Sequence, residues 1–192
     1  MICAQCCGEK RILEIDCPES CPYLRVGRWH EMASENARHL RTEDPVKQQA
    51  QARVLNRFDR EIMHLEYILA RERRSSRDLA DKDVAEALDL LLKAYRTEEK
   101  GVLYEQTSNN LRVDGLRRRL REVVESYRYP KEEQQNRLRL RDVIECLEFI
   151  RGILASHMET DLTSTGYVDF LARTMPRGEE PGDRGSSLII PG

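Results

Sequence analysis

Aromatic residues make up only 6% of this 192-residue chain. No apolar run approaches the roughly 20 residues that a membrane-spanning helix requires, so no membrane partner is expected. Neither sign of charge dominates: 32 Lys and Arg stand against 34 Asp and Glu, a formal net charge of −2. That balance supplies no global attraction to nucleic acid or to an anionic bilayer. Glycine is sparse outside the two ends of the chain, and no glycine-rich phosphate loop occurs. The histidines His30, His39, His64 and His157 belong to no motif that ties them to a Ser, Cys or Asp, so catalysis is not expected. The start, Met1-Ile2-Cys3-Ala4-Gln5-Cys6-Cys7, has no basic segment followed by an apolar one, so a cytoplasmic protein is expected.

What the chain does have is charge and leucine at helical spacing. Charged residues reach 34%, and with Arg, Glu and Leu abundant this is the composition of amphipathic helices. A first helix is expected over 24–41. The spacing of Leu55, Phe58, Ile62, Leu65 and Leu69 then places one apolar seam on a helix over 45–74, with Pro45 in its first turn. A third helix over 81–104 runs through Val84, Leu88, Leu91, Tyr95 and Val102, with Asp81 or Asp83 as its cap. A fourth, over 111–128, uses Val113, Leu116, Leu120, Val123 and Tyr127 and is stopped by Pro130. A fifth over 132–158 uses Leu140, Val143, Leu147, Ile150 and Leu154, and a short one covers 166–174. Long amphipathic helices with short turns between them make an antiparallel helical bundle of about four to five helices. The expected organisation is a small N-terminal knuckle over 1–24, the bundle over 25–175, and a disordered tail over 176–192 rich in Pro, Gly and Ser.

Chemical content is concentrated at the N-terminus. Five of the six cysteines, Cys3, Cys6, Cys7, Cys17 and Cys21, crowd into one short segment, while Cys146 stands alone in a helix. A secreted disulfide framework would instead spread its cysteines along the chain. Two close groups joined by a short β-hairpin, with Gly8 at a turn, let four thiolates converge on one ion, as zinc prefers. Cys3, Cys17 and Cys21 supply three ligands, and either Cys6 or Cys7 supplies the fourth. An iron–sulfur cluster is the alternative occupant, and the spare thiol also suits a redox switch. The run Cys3-Ala4-Gln5-Cys6-Cys7-Gly8 through Cys17-Pro18-Glu19-Ser20-Cys21-Pro22-Tyr23-Leu24 resembles the start of uncharacterised bacterial proteins that pair a cysteine-rich N-terminus with a helical remainder. The resemblance implies a bacterial origin and carries no activity.

Weaker signals accompany it. Glu61 and His64 have the Glu-x-x-His spacing of di-iron bundles, but no second copy exists, and both sit at the flank of the seam, where a solvated face is the plainer reading. Glu98 or Glu99 occupies a seam position, where a carboxylate needs a partner or a shifted pKa. Arg112, Arg117, Arg118, Arg119, Arg121 and Arg128 form the densest basic stretch, diluted by Asp114, Glu122 and Glu125; it is the one feature that suggests nucleic-acid contact. Leu188-Ile189-Ile190 in the tail is a short apolar plug. These features point to a zinc-bearing helical adaptor that binds a protein partner or forms a homodimer. A nucleic-acid-associated regulator or a redox-responsive regulator stands as the alternative.

Overall fold

A computed structural model describes residues 45–104, 106–130, 137–160 and 164–177, together with Cys21. The expected helix over 24–41 and nearly all of the knuckle and tail lie outside these residues. Five helices make up the described part: α1 (Pro45–Ser75), α2 (Asp81–Glu99), α3 (Leu111–Arg128), α4 (Leu140–Thr160) and α5 (Gly166–Thr174). Among the described residues the protein is a helical bundle without strands.

Helix α1 has two parts. Up to Arg57 it is largely exposed, and Leu55, expected in the seam, lies on the surface. At Phe58 the backbone leaves helical geometry (φ −129°, ψ 27°) and the helix kinks. Beyond the kink Phe58, Ile62, Leu65 and Leu69 are buried, and every residue from His64 to Ala70 is inside. A helix enclosed on all sides has neighbours all round. Here α3, α4 and α5 all pack on α1.

Helix α2 starts at Ala80, whose N–H donates to the Asp83 carboxylate at 3.1 Å, so Asp83 rather than Asp81 serves the cap. Its end comes earlier than the apolar spacing suggests. Gly101 adopts φ +81°, its N–H donates to the Glu98 carbonyl, and the Val102 N–H donates to the Thr97 carbonyl at 3.0 Å. This pair of bonds is a Schellman stop. Val102 therefore leaves the helix and is exposed, which corrects its expected place in the seam. Helix α3 matches expectation at both ends, and the Asn110 side chain caps it by accepting from the Arg112 N–H. Helix α4 begins at Leu140 rather than 132. Just before it the Leu138 N–H donates to the Tyr127 carbonyl, and the Arg139 N–H donates to Asp142 in the first turn, which caps the helix there.

Side-chain pairs give the direction of each helix. Arg119 meets Glu72 and His64 meets Tyr127, so α1 and α3 run antiparallel. Asp89–Arg151 and Arg96–Glu148 make α2 and α4 antiparallel as well. By contrast, Asp83–Arg112, Tyr95–Glu125 and Glu98–Arg128 advance together, so α2 and α3 are parallel neighbours. The bundle is thus of mixed sense, up-down-down-up, rather than antiparallel throughout. The physical reason lies in the connector 100–110. It does not turn tightly but runs back along α2, so that Ser108 donates to Glu86 near the start of that helix. Extended chain covers about 3.3 Å per residue against about 1.5 Å in a helix, so this connector can return the length of α2.

Candidate functional site

Four of the expected metal ligands, Cys3, Cys6, Cys7 and Cys17, lie outside the described residues. Cys21 is half-buried and in no disulfide. Within the bundle, no three His, Cys, Asp or Glu side chains among the described residues form a metal-binding group. Glu61 and His64 behave differently from a solvated pair. His64 is buried, with Nδ1 3.0 Å from the Tyr127 hydroxyl and the two rings in an edge contact. Glu61 is half-buried, and desolvation raises its pKa.

The carboxylate in the α2 seam finds its partner. Arg128 donates to Glu98 at 2.6 Å and to Glu125 at 2.9 Å, and Glu125 also accepts from the Tyr95 hydroxyl. The Arg128 guanidinium lies over the rings of Tyr95 and Tyr129 as well. This is a half-buried network that holds α2 to α3, and its charges are matched in place. Glu99 is exposed and takes no part.

The basic stretch disperses in the same manner. Arg112 pairs with Asp78 and Asp83, Arg117 and Arg118 with Asp114, and Arg119 with Glu72. Arg117 is buried. Guanidinium groups already held by carboxylates are not laid out as a phosphate-binding face. An open groove of about 430 Å³ lies between α2, α4 and the returning connector, lined in part by Lys82, Glu86, Asp89, Lys93, Gln106 and Met158. Asp89 is already bonded to Arg151, and Glu86 to Ser108.

The most unusual polar grouping in the bundle is one that sequence reading missed. Glu66 of α1 is 1% exposed and accepts a hydrogen bond from the Tyr167 hydroxyl of α5 at 3.0 Å. Burial pushes its pKa up to about 7, against which the Tyr167 bond is a smaller, opposing effect. Asp81 of α2, also buried, accepts from the N–H groups of Tyr167 and Val168, both at 3.0 Å. The buried His157 of α4 lies against the rings of Tyr167 and Phe170. Asp81 thus caps α5 from another helix, which is why it is not the cap of α2. The available signal was the run Ile62 to Ala70: a carboxylate inside so apolar a stretch has little chance of reaching water.

The chain matches no family model, no curated protein and no solved structure. Among the described residues, no helix is long and apolar enough to cross a membrane.

Proposed function

We propose that this protein is a zinc-dependent adaptor: the N-terminal cysteines hold one zinc ion, and the helical bundle anchors that knuckle for contact with a protein partner. One observation carries the reading. The first described helix after the cysteine segment, α1, runs for its first three turns largely outside the core before it enters the bundle at the Phe58 kink. An exposed helix between a metal knuckle and a packed bundle suits presentation rather than enclosure. The contiguous Val102-Leu103-Tyr104, with Leu103 87% exposed, adds apolar surface of the kind that protein partners cover. Cys3, Cys17 and Cys21 with Cys6 or Cys7 are the proposed ligands, in a four-thiolate site whose zinc is structural. A reducing cytoplasm would keep these thiols free to bind it.

The test is elemental analysis and an absorption spectrum on protein purified anaerobically without chelator, followed by light scattering with and without the metal. One equivalent of zinc, lost in a Cys17→Ser/Cys21→Ser variant, supports the proposal. Iron with visible absorbance would replace it with an iron–sulfur protein. Absence of any metal would overturn it and bring the thiol–disulfide switch forward. A mass of two chains only in the zinc form would make the partner a second copy.

A further inference from the structure

We propose that α5 is a pH-releasable strap, held down by the protonated form of Glu66 and loosened when that carboxyl ionises. The inference rests on the polar contacts at the α1–α5 interface and is independent of the zinc reading. Helix α5 is short, and its buried face (Tyr167, Val168, Phe170, Leu171 and Thr174) packs on α1 and α4. Its first turn is the part that meets buried polar groups. There Glu66 takes the Tyr167 hydroxyl, and Asp81 takes the two backbone amides.

Among the described residues, the groups around Glu66 offer it no counter-charge. From α5 it faces the Tyr167 hydroxyl, a neutral donor whose own ionisation is suppressed by burial and by Glu66 itself. From α2 comes Asp81, a second carboxylate on the same helix end. From α4 comes His157, whose ring lies tilted against that of Tyr167 with centroids 5.1 Å apart. From α3, Tyr127 is bonded to His64, Arg117 is turned to Asp114, and Arg119 is turned to Glu72. On α1 itself, Arg73 reaches Asp169 and Leu79, and Arg74 reaches the carbonyls of Ala172, Met175 and Pro176 at the far end of α5. A carboxylate in this position loses its hydration and gains one hydrogen bond, so the charged form favours the open state, where water reaches it. Because the docked group titrates near 7 and a free one near 4.5, opening grows between those values and levels off above them.

Release would uncover the faces of α1 and α4 beneath the strap while α2, α3 and the rest of the bundle stay closed. Local openings of a short element of this kind cost less than global unfolding.

Hydrogen exchange on the full chain, corrected for the intrinsic pH dependence of exchange, reads this directly. Protection of the α5 amides should fall by about tenfold per pH unit across pH 5 to 7 and then flatten. Protection of the α2 amides Val84 to Leu91 should hold steady. In Glu66→Gln, α5 protection should not vary with pH. An equal pH slope in Glu66→Gln, or a flat profile in the wild type, overturns the proposal. If Glu66→Gln does not fold, the carboxyl carbon of Glu66 is titrated by NMR in the unmodified chain. A midpoint near 7 supports the proposal, and one below about 5 overturns it.

Discussion

Each buried charge in this bundle has a particular solution. Arg128 sits between two carboxylates and two rings. Asp81 takes two amides at a helix N-terminus, where the helix dipole also favours a negative group. Among the described residues Glu66 has only a tyrosine hydroxyl as partner, and burial pushes its pKa up to about 7. Cys146 shows what the same environment does to a thiol. It is buried, and desolvation raises its pKa strongly, with Glu61, Asp142 and Glu145 adding negative charge nearby. A thiol reacts through its thiolate, so Cys146 should be inert to a disulfide reagent at pH 8 in the folded protein. It should react once denaturant is added. A chain with its N-terminal cysteines changed to serine isolates this thiol, and fast labelling of that native variant would contradict the burial.

The elements end where local bonding stops them, which is not always where apolar spacing does. Gly101 shows the point: Val102 fits the stripe of α2, yet a left-handed glycine and two backbone bonds terminate the helix first. A Cβ at Gly101 would meet nothing within 4 Å, so a substitution there strains the backbone without a clash. Gly101→Ala should therefore cost about 1 kcal/mol, read as a lower midpoint in urea with an unchanged slope. A gain in stability would show that the stop does not depend on the positive φ. The seam of α1 from Phe58 onward and the bounds of α3 and α5 were legible, because regular apolar repeats encode them directly. The late start of α4 was not, since it depends on Leu138 bonding back to Tyr127 across the 128–140 connection.

For the whole molecule, pH dependence sums such local choices. The pKa of Glu66 is raised on folding, so its contribution favours the folded state fully below about pH 4.5 and is lost as pH rises through about 7. The loss amounts to roughly 3 kcal/mol, by linkage at about 1.4 kcal/mol per pH unit. Asp169 acts in the opposite sense. Arg73 and Thr165 hold its pKa down against a desolvation that would raise it, so its smaller contribution is present at neutral pH and fades on acidification below about 4. Urea unfolding at pH 5 and pH 8 should find the wild type less stable at the higher pH. Glu66→Gln should remove most of that difference. A wild type equally stable at both values would mean that the carboxyl is already ionised in the folded chain.

Sequence by itself determined that the described part of this chain is helical, where most of its helices lie, and that a carboxylate at Glu98 or Glu99 in a seam needed a partner or a shifted pKa. These follow from local chemistry: periodicity, caps, and the cost of a charge among apolar side chains. Only the tertiary structure decided that α2 and α3 run parallel, that Arg112, Arg117, Arg118, Arg119 and Arg128 pair with acids from α1, α2, the connector between them and their own helix, and that Glu66 meets Tyr167. Helix direction depends on where a connector travels, and Ser108 bonding to Glu86 is not written in the connector's composition. Glu66 and Tyr167 are 101 positions apart. No local pattern specifies that encounter; it arises because α5 closes the side of α1 that α3 and α4 leave open.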